Sequence, residues 1–142
     1  MKRLAALILL TLLFLSSSCA EDQSVDYDLT FLSGNILMNQ VAIIRADPGT
    51  YSGKTIRVRG QYYAFATENE TQRSLILTEC AGNTCREIGL KLVPSEETSL
   101  IWPDNLEDIE ITARIGETAS TSGETYSLFH VFSVRPVSSD AD

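Results

Sequence analysis

Two cysteines are the residues best placed to do chemistry. Cys80 and Cys85 are separated by Ala81-Gly82-Asn83-Thr84, and Gly82-Asn83 is a turn signal between two strand-like runs. Such a turn puts both cysteines at the mouth of a hairpin, where facing positions come close enough for a disulfide. Closing so small a loop contributes about 2 kcal/mol in the chain-entropy model. Two free thiols are the alternative. A redox-active pair fits less well, because the spacing is wider than the Cys-x-x-Cys such pairs use. A closed metal site needs more ligands, and His130 is the only histidine. No metal and no cofactor are expected.

The remaining candidates for catalysis are weaker. His130 has no Gly-x-Ser-x-Gly pattern to partner it and is expected to be structural or incidental. Glu96, Glu97, Asp104, Glu107 and Asp108 lie close together in sequence, and two carboxylates are the minimum for glycosidase-type acid–base work. They fall in polar loops, however, where water keeps them ionised, so a solvated acidic rim is the expectation. The alternating ligand pattern of a dedicated calcium loop is missing. Gly53-Lys54-Thr55 is not a phosphate loop either, since the upstream glycine spacing is wrong and the lysine opens a strand. No catalytic residue is assigned.

The elements that would carry these residues begin after an N-terminal leader. Lys2 and Arg3 precede an apolar run over residues 4–15 interrupted only by Thr11, followed by small residues. About 12 apolar residues make roughly 18 Å of helix, too short for a bilayer core of about 30 Å. This is the layout of a secretory signal peptide over residues 1–18. Leu15-Ser16-Ser17-Ser18-Cys19-Ala20 resembles the lipobox of bacterial lipoproteins, in which small residues precede a cysteine that is lipidated and becomes the new N-terminus. The resemblance implies lipid attachment at Cys19 and, with Ala20 rather than Asp following it, the outer membrane of a Gram-negative cell, facing the periplasm. Ordinary cleavage after Ala20 is the alternative, which would make a soluble secreted domain. Four acidic residues among 21–28 suit a solvated tether, drawn here as residues 19–35.

Composition sets the outer bounds. The chain has 142 residues, 44% of them hydrophobic, and a formal charge of −8. Without the leader's two bases, 9 basic residues face 19 acidic ones, or −10. What remains is enough for one compact domain, and such acidity disfavours gripping nucleic acid phosphates or anionic lipid headgroups, since the long-range field repels both.

Leu37, Val41 and Ile44 recur at helical spacing, with Ile36 and Ile43 flanking, and predict a short helix ended by Asp47-Pro48-Gly49. From Lys54 the period becomes two. Ile56 and Val58 alternate with polar residues until Gly60, a glycine that predicts a bulge or sharp bend. Further strands are expected over residues 74–78, around Ile88, Leu90 and Leu92, over 109–115 and over 125–134. A helical turn from Ser95 to about Trp102 is expected between the third and fourth. Five short strands with a bent first one predict a mainly β fold, a small barrel over residues 36–137 with an acidic tail at 138–142.

The run Tyr51-Ser52-Gly53-Lys54-Thr55-Ile56-Arg57-Val58-Arg59-Gly60 resembles the first strand of OB-fold domains, especially bacterial ones of the anticodon-binding-like group. The segments from Leu77, Gly89 and Ile109 keep that fold's order, so the resemblance spans roughly residues 47–136. An OB fold invites a nucleic-acid reading, with Tyr62, Tyr63 and Phe65 stacking bases beside Arg57 and Arg59. Acidity and export oppose it; alternate aromatics are expected to fill the barrel and the arginines to be solvated or paired to Glu110.

Leu128, Phe129, Val131 and Phe132 are apolar on both parities of the last strand, although a barrel buries one side only. Either the helix over residues 36–44 covers the other side, or Phe129 and Val131 belong to a partner surface. The expected function is therefore a lipid-anchored envelope binding or scaffolding module without catalysis. Its partner would be an envelope protein, peptide or glycan, not nucleic acid. A small envelope enzyme, hydrolytic or thiol-active, is the alternative.

Overall fold

Alternation with a period of two becomes a closed sheet. A computed structural model describes residues 24–137; the leader, Cys19 and the acidic tail lie outside the described residues. The elements are β1 (Tyr27–Asp28), α1 (Gly34–Ala46), α2 (Pro48–Tyr51), β2 (Thr55–Ala66), β3 (Thr71–Ala81), β4 (Thr84–Pro94), β5 (Asp108–Ala119) and β6 (Thr125–Pro136). β2 pairs antiparallel with β3, β3 with β4, and β5 with β6, while β4 and β6 run parallel. β5 then returns antiparallel to β2 and closes the barrel. The protein is a small mainly β barrel with an OB-fold-like architecture.

β2 serves two neighbours because it bends. Residues 55–61 pair with β5 and residues 61–66 with β3. The bend falls at Gly60, where a Cβ would stand 2.8 Å from the Ile76 carbonyl oxygen. Only a residue without a side chain allows the two backbones to approach so closely.

The interior is built from one parity of each strand, including Ile56, Val58, Leu75, Leu90, Ile111 and Ile115, all buried. Each such side chain contributes about 1.5–3 kcal/mol on burial. Phe129 and Val131 belong to this set at 1% and 0% exposed, so they are not a partner surface. The mixed parity of β6 has a local cause. The register steps from Thr112↔Ser133 to Ala113↔Val131, a bulge that leaves Phe132 without a counterpart. The side facing Ile109, Ile111, Ala113 and Ile115 therefore passes from Phe129 and Val131 to Val134 and Pro136. Leu128 and Phe132 stay half-buried.

α1 closes one end of the barrel, burying Met38, Val41 and Ile44. The Ser127 hydroxyl, at the start of β6, reaches the Ile44 and Arg45 carbonyls at 3.3 Å each, satisfying acceptors that a helix end leaves open. Pro48 ends α1 and also begins α2, for which Asp47 is the cap: its Oδ1 accepts from the Thr50 amide at 3.1 Å.

The other end is closed without a helix. The expected helical turn at residues 95–102 is instead a single turn, with the Thr98 amide donating to the Ser95 carbonyl at 3.5 Å. Pro94 and Pro103 bracket too short and polar a stretch for helix nucleation. The Trp102 ring stacks on Tyr62 at 5.5 Å, and the Arg73 guanidinium lies 5.0 Å from its centroid. Tyr62 exchanges backbone hydrogen bonds with Leu106 and Glu107, and the Asn105 amide pairs with both backbone groups of Ala64. These residues continue the edge of β2 that β5 leaves at Asp108.

The domain also begins earlier than expected. The stretch assigned to a tether up to residue 35 is bound to the barrel from Asp26 onward. β1 lies parallel to β2, Leu29 is buried, and the Asp26 and Leu29 amides donate to the Thr55 and Arg57 carbonyls. β1 is only two residues long, too short for its alternation to register as a strand.

Candidate functional site

β2 is paired unevenly on the edge opposite β5. β1 occupies Ile56 and Arg57, and β3 begins to pair at Gln61. Residues 58–60 lie between the two, and the first turn of α1 lies beside the opening. The result is a cleft of about 450 Å³. Leu37, Met38 and Leu77 supply apolar lining, and Ser33, Arg59, Gln61, Thr78, Glu79 and Asp108 supply polar groups. That volume lies in the range of small-ligand sites.

Two neighbours fix the polar groups. Arg59 Nε donates to Glu110 Oε2 at 3.0 Å, between residues that face each other in the β2–β5 register. Gln61 Nε2 donates to the Leu106 carbonyl at 3.1 Å. Glu79 comes to the helix from β3, its Oε1 3.3 Å from where a Cβ on Gly34 would stand. Ser33, the N-cap, makes no side-chain cap bond, and the first turn of α1 carries no acid. Glu79 thus places a negative charge beside the positive end of the helix dipole. Gly34 has φ +57°, a conformation that also favours glycine.

The charge network continues behind the cleft. Arg57 Nη1 lies 3.2 Å from Asp28 Oδ2, and Arg57 Nε lies 3.9 Å from Glu110 Oε1. Desolvation pushes the Asp28 carboxyl up. The hydroxyl and amide of Thr30 together with Arg57 outweigh it, so its pKa lies below the ordinary carboxylate value. Pairing of the arginines to Glu110 is as the sequence suggested.

The aromatics divide by parity. Tyr62 is buried, while Tyr63 and Phe65 are exposed with ring centroids 6.2 Å apart. Alternation along β2 thus turns Tyr62 into the barrel and leaves Tyr63 and Phe65 on the outer side.

Cys80 and Cys85 face each other in register and form a disulfide, with Cα atoms 4.0 Å apart. Gly82, φ +62°, is the first residue of the two-residue turn, as a type II′ hairpin requires. The bridge lies at an exposed hairpin tip, outside the cleft lining. His130 lies across Gly116, where a Cβ would meet its Nε2 at 2.7 Å, and it too is outside the cleft. Glu96, Glu97, Asp104, Glu107 and Asp108 are all exposed. Of these, only Asp108 lines the cleft. Among the described residues, no three His, Cys, Asp or Glu converge as metal ligands.

The cleft itself was not foreseen from the sequence. Its polar groups come from β2, β3, β5 and the N-cap of α1, with no spacing in common. The one available signal was Gly60, whose bend makes β2 change partners. A scan against protein-family models finds no match, and a search of curated proteins finds no similar sequence.

Proposed function

We propose that the protein is an exported, lipid-anchored module of the cell envelope that binds a polar ligand without transforming it. The cleft beside α1 carries this reading. Its one guanidinium, one amide, two hydroxyls and two carboxylates offer both donors and acceptors. Such a lining suits an uncharged or zwitterionic partner, a peptide segment of an envelope protein or a glycan. The only histidine lies elsewhere, so no imidazole stands beside the cleft's carboxylates to move a proton.

The lipobox-like run ending at Cys19 supports the anchor, and Ala20 supports the outer membrane, facing the periplasm. Likeness of the segment from Tyr51 to the anticodon-binding-like group of OB folds supports a common barrel. It does not extend to nucleic acid, because phosphates are repelled by a chain with 19 acidic residues.

Amide shifts of the isotopically labelled protein, titrated with soluble cell-wall glycopeptides and short peptides, test the proposal. Shifts confined to Arg59–Gln61, Thr78, Glu79 and the first turn of α1, reduced in Gln61→Ala, are the expected result. Binding that shifts other surfaces only, or chemical turnover of the probe, would contradict it.

A further inference from the structure

The surface around α1 differs from the rest of this acidic chain. Residues 29–46 contain no Asp or Glu, while the chain as a whole has 19. Ile36 and Ile43, seven residues apart and therefore on one side of the helix, are 68% and 53% exposed. Phe31, two residues before the N-cap, is 86% exposed. Bases lie near this surface: Arg45 in the last turn, and Arg86, whose Nη2 donates to Asn39 Oδ1 at 3.3 Å; the acids nearest to it are Glu87, beside the two arginines, and Glu79, at the N-terminal end of the helix. Three large apolar side chains, neutral amides and two guanidiniums form a surface unlike a solvated acidic rim.

What covers this face is suggested by the point of chain entry. Backbone pairing to the barrel begins at Asp26, seven residues after Cys19. Even fully stretched, seven residues span about 25 Å. A domain of this length has a radius of gyration of about 13 Å, so such a tether is no longer than the domain is wide. From Asp26 the chain passes through β1 directly to Phe31 and α1.

We propose that the outward face of α1, with Phe31, Ile36 and Ile43, rests on the bilayer that holds the Cys19 acyl chains. The proposal rests on the lipoprotein reading. Apolar side chains on a helix lying in the interface insert about 5–10 Å below the headgroup level, and the acid-free stretch 29–46 with Arg45 and Arg86 locally offsets the repulsion that the acidic chain as a whole meets at lipid phosphates. The cleft, which opens at the first turn of α1, is thereby held close to the membrane surface.

The test uses full-length acylated protein in phosphatidylethanolamine–phosphatidylglycerol vesicles containing lipids brominated near the headgroup. Trp102, at the opposite end of the barrel from α1, is the only tryptophan and serves as an internal reference. In Phe31→Trp, the added emission is expected to be quenched by about half, as for a residue at interfacial depth. Trp102 should keep its emission, and adding Ile36→Ser with Ile43→Ser should restore most of the loss. Unquenched emission from the introduced indole, in protein whose mass includes the acyl chains, would overturn the proposal alone. So would burial of the face in a second copy, seen as dimers by crosslinking. A mass without acyl chains would overturn the lipoprotein reading itself.

Discussion

Gly60 and Ile76 approach so closely that a methyl group on the glycine would stand 2.8 Å from the Ile76 carbonyl oxygen. This contact lets β2 leave β5 and take up β3, which closes the barrel and opens the cleft beside α1. Gly60→Ala should therefore cost about 1–3 kcal/mol through overpacking against backbone. Gly89→Ala, whose Cβ would meet only Ile76 Cδ1 at an ordinary 3.5 Å, should be within about 0.5 kcal/mol of the parent. Urea denaturation of both variants checks the contrast; equal stabilities would remove Gly60 as the cause of the bend.

The Cys80–Cys85 bridge closes a hairpin already set in register by the Gly82 turn. Replacing both cysteines by serine should lower stability by about 2 kcal/mol, mostly through the unfolded chain. The fold should persist, because the buried core does not include either residue. Far-ultraviolet circular dichroism and the denaturation midpoint separate these effects.

Leu106 has φ +71°, a left-handed conformation that costs a side-chain-bearing residue about 1–2 kcal/mol. Its amide donates to the Tyr62 carbonyl, and its carbonyl accepts from Gln61, which hold it there. Its side chain is exposed, so Leu106→Gly should lose little packing and raise stability by about 0.5 kcal/mol, net of the entropy glycine adds to the unfolded chain. A fall of more than that in the melting analysis would show that the side chain is needed.

Asp28 ties β1 to β2 through Arg57, accepts two local hydrogen bonds from Thr30, and has a lowered pKa in the folded protein. A lowered folded value means the contribution is complete above the unfolded carboxylate value of about 3.9 and is lost as pH falls through the folded one. Asp28→Asn should therefore be less stable than the parent near neutral pH, with the gap narrowing below about pH 4. A gap unchanged down to pH 3 would contradict the assignment.

Much of the barrel was legible because strand alternation is a local property: Ile109, Ile111 and Ile115 announce their shared side without reference to anything distant. The bend at Gly60, the hairpin at Gly82 and the helix around Val41 were legible for the same reason. Phe129 and Val131 were harder to place, because the bulge beside Phe132 changes parity within one strand and leaves no local mark. β1 escaped notice because two residues show no period. The end of the barrel expected to hold a helical turn is filled by Trp102 between Tyr62 and Arg73, a packing that only the closed barrel defines. The cleft is the extreme case, since Arg59, Glu79 and Asp108 meet only after three strands have found their register.

The central claim is a barrel anchored by Cys19, and intact mass of the protein from its native membranes tests it most directly. The account predicts a chain beginning at Cys19 with acyl chains attached, and with Cys80 and Cys85 blocked to alkylation until reduced. An unacylated chain beginning at Glu21 would contradict it and leave a soluble secreted domain.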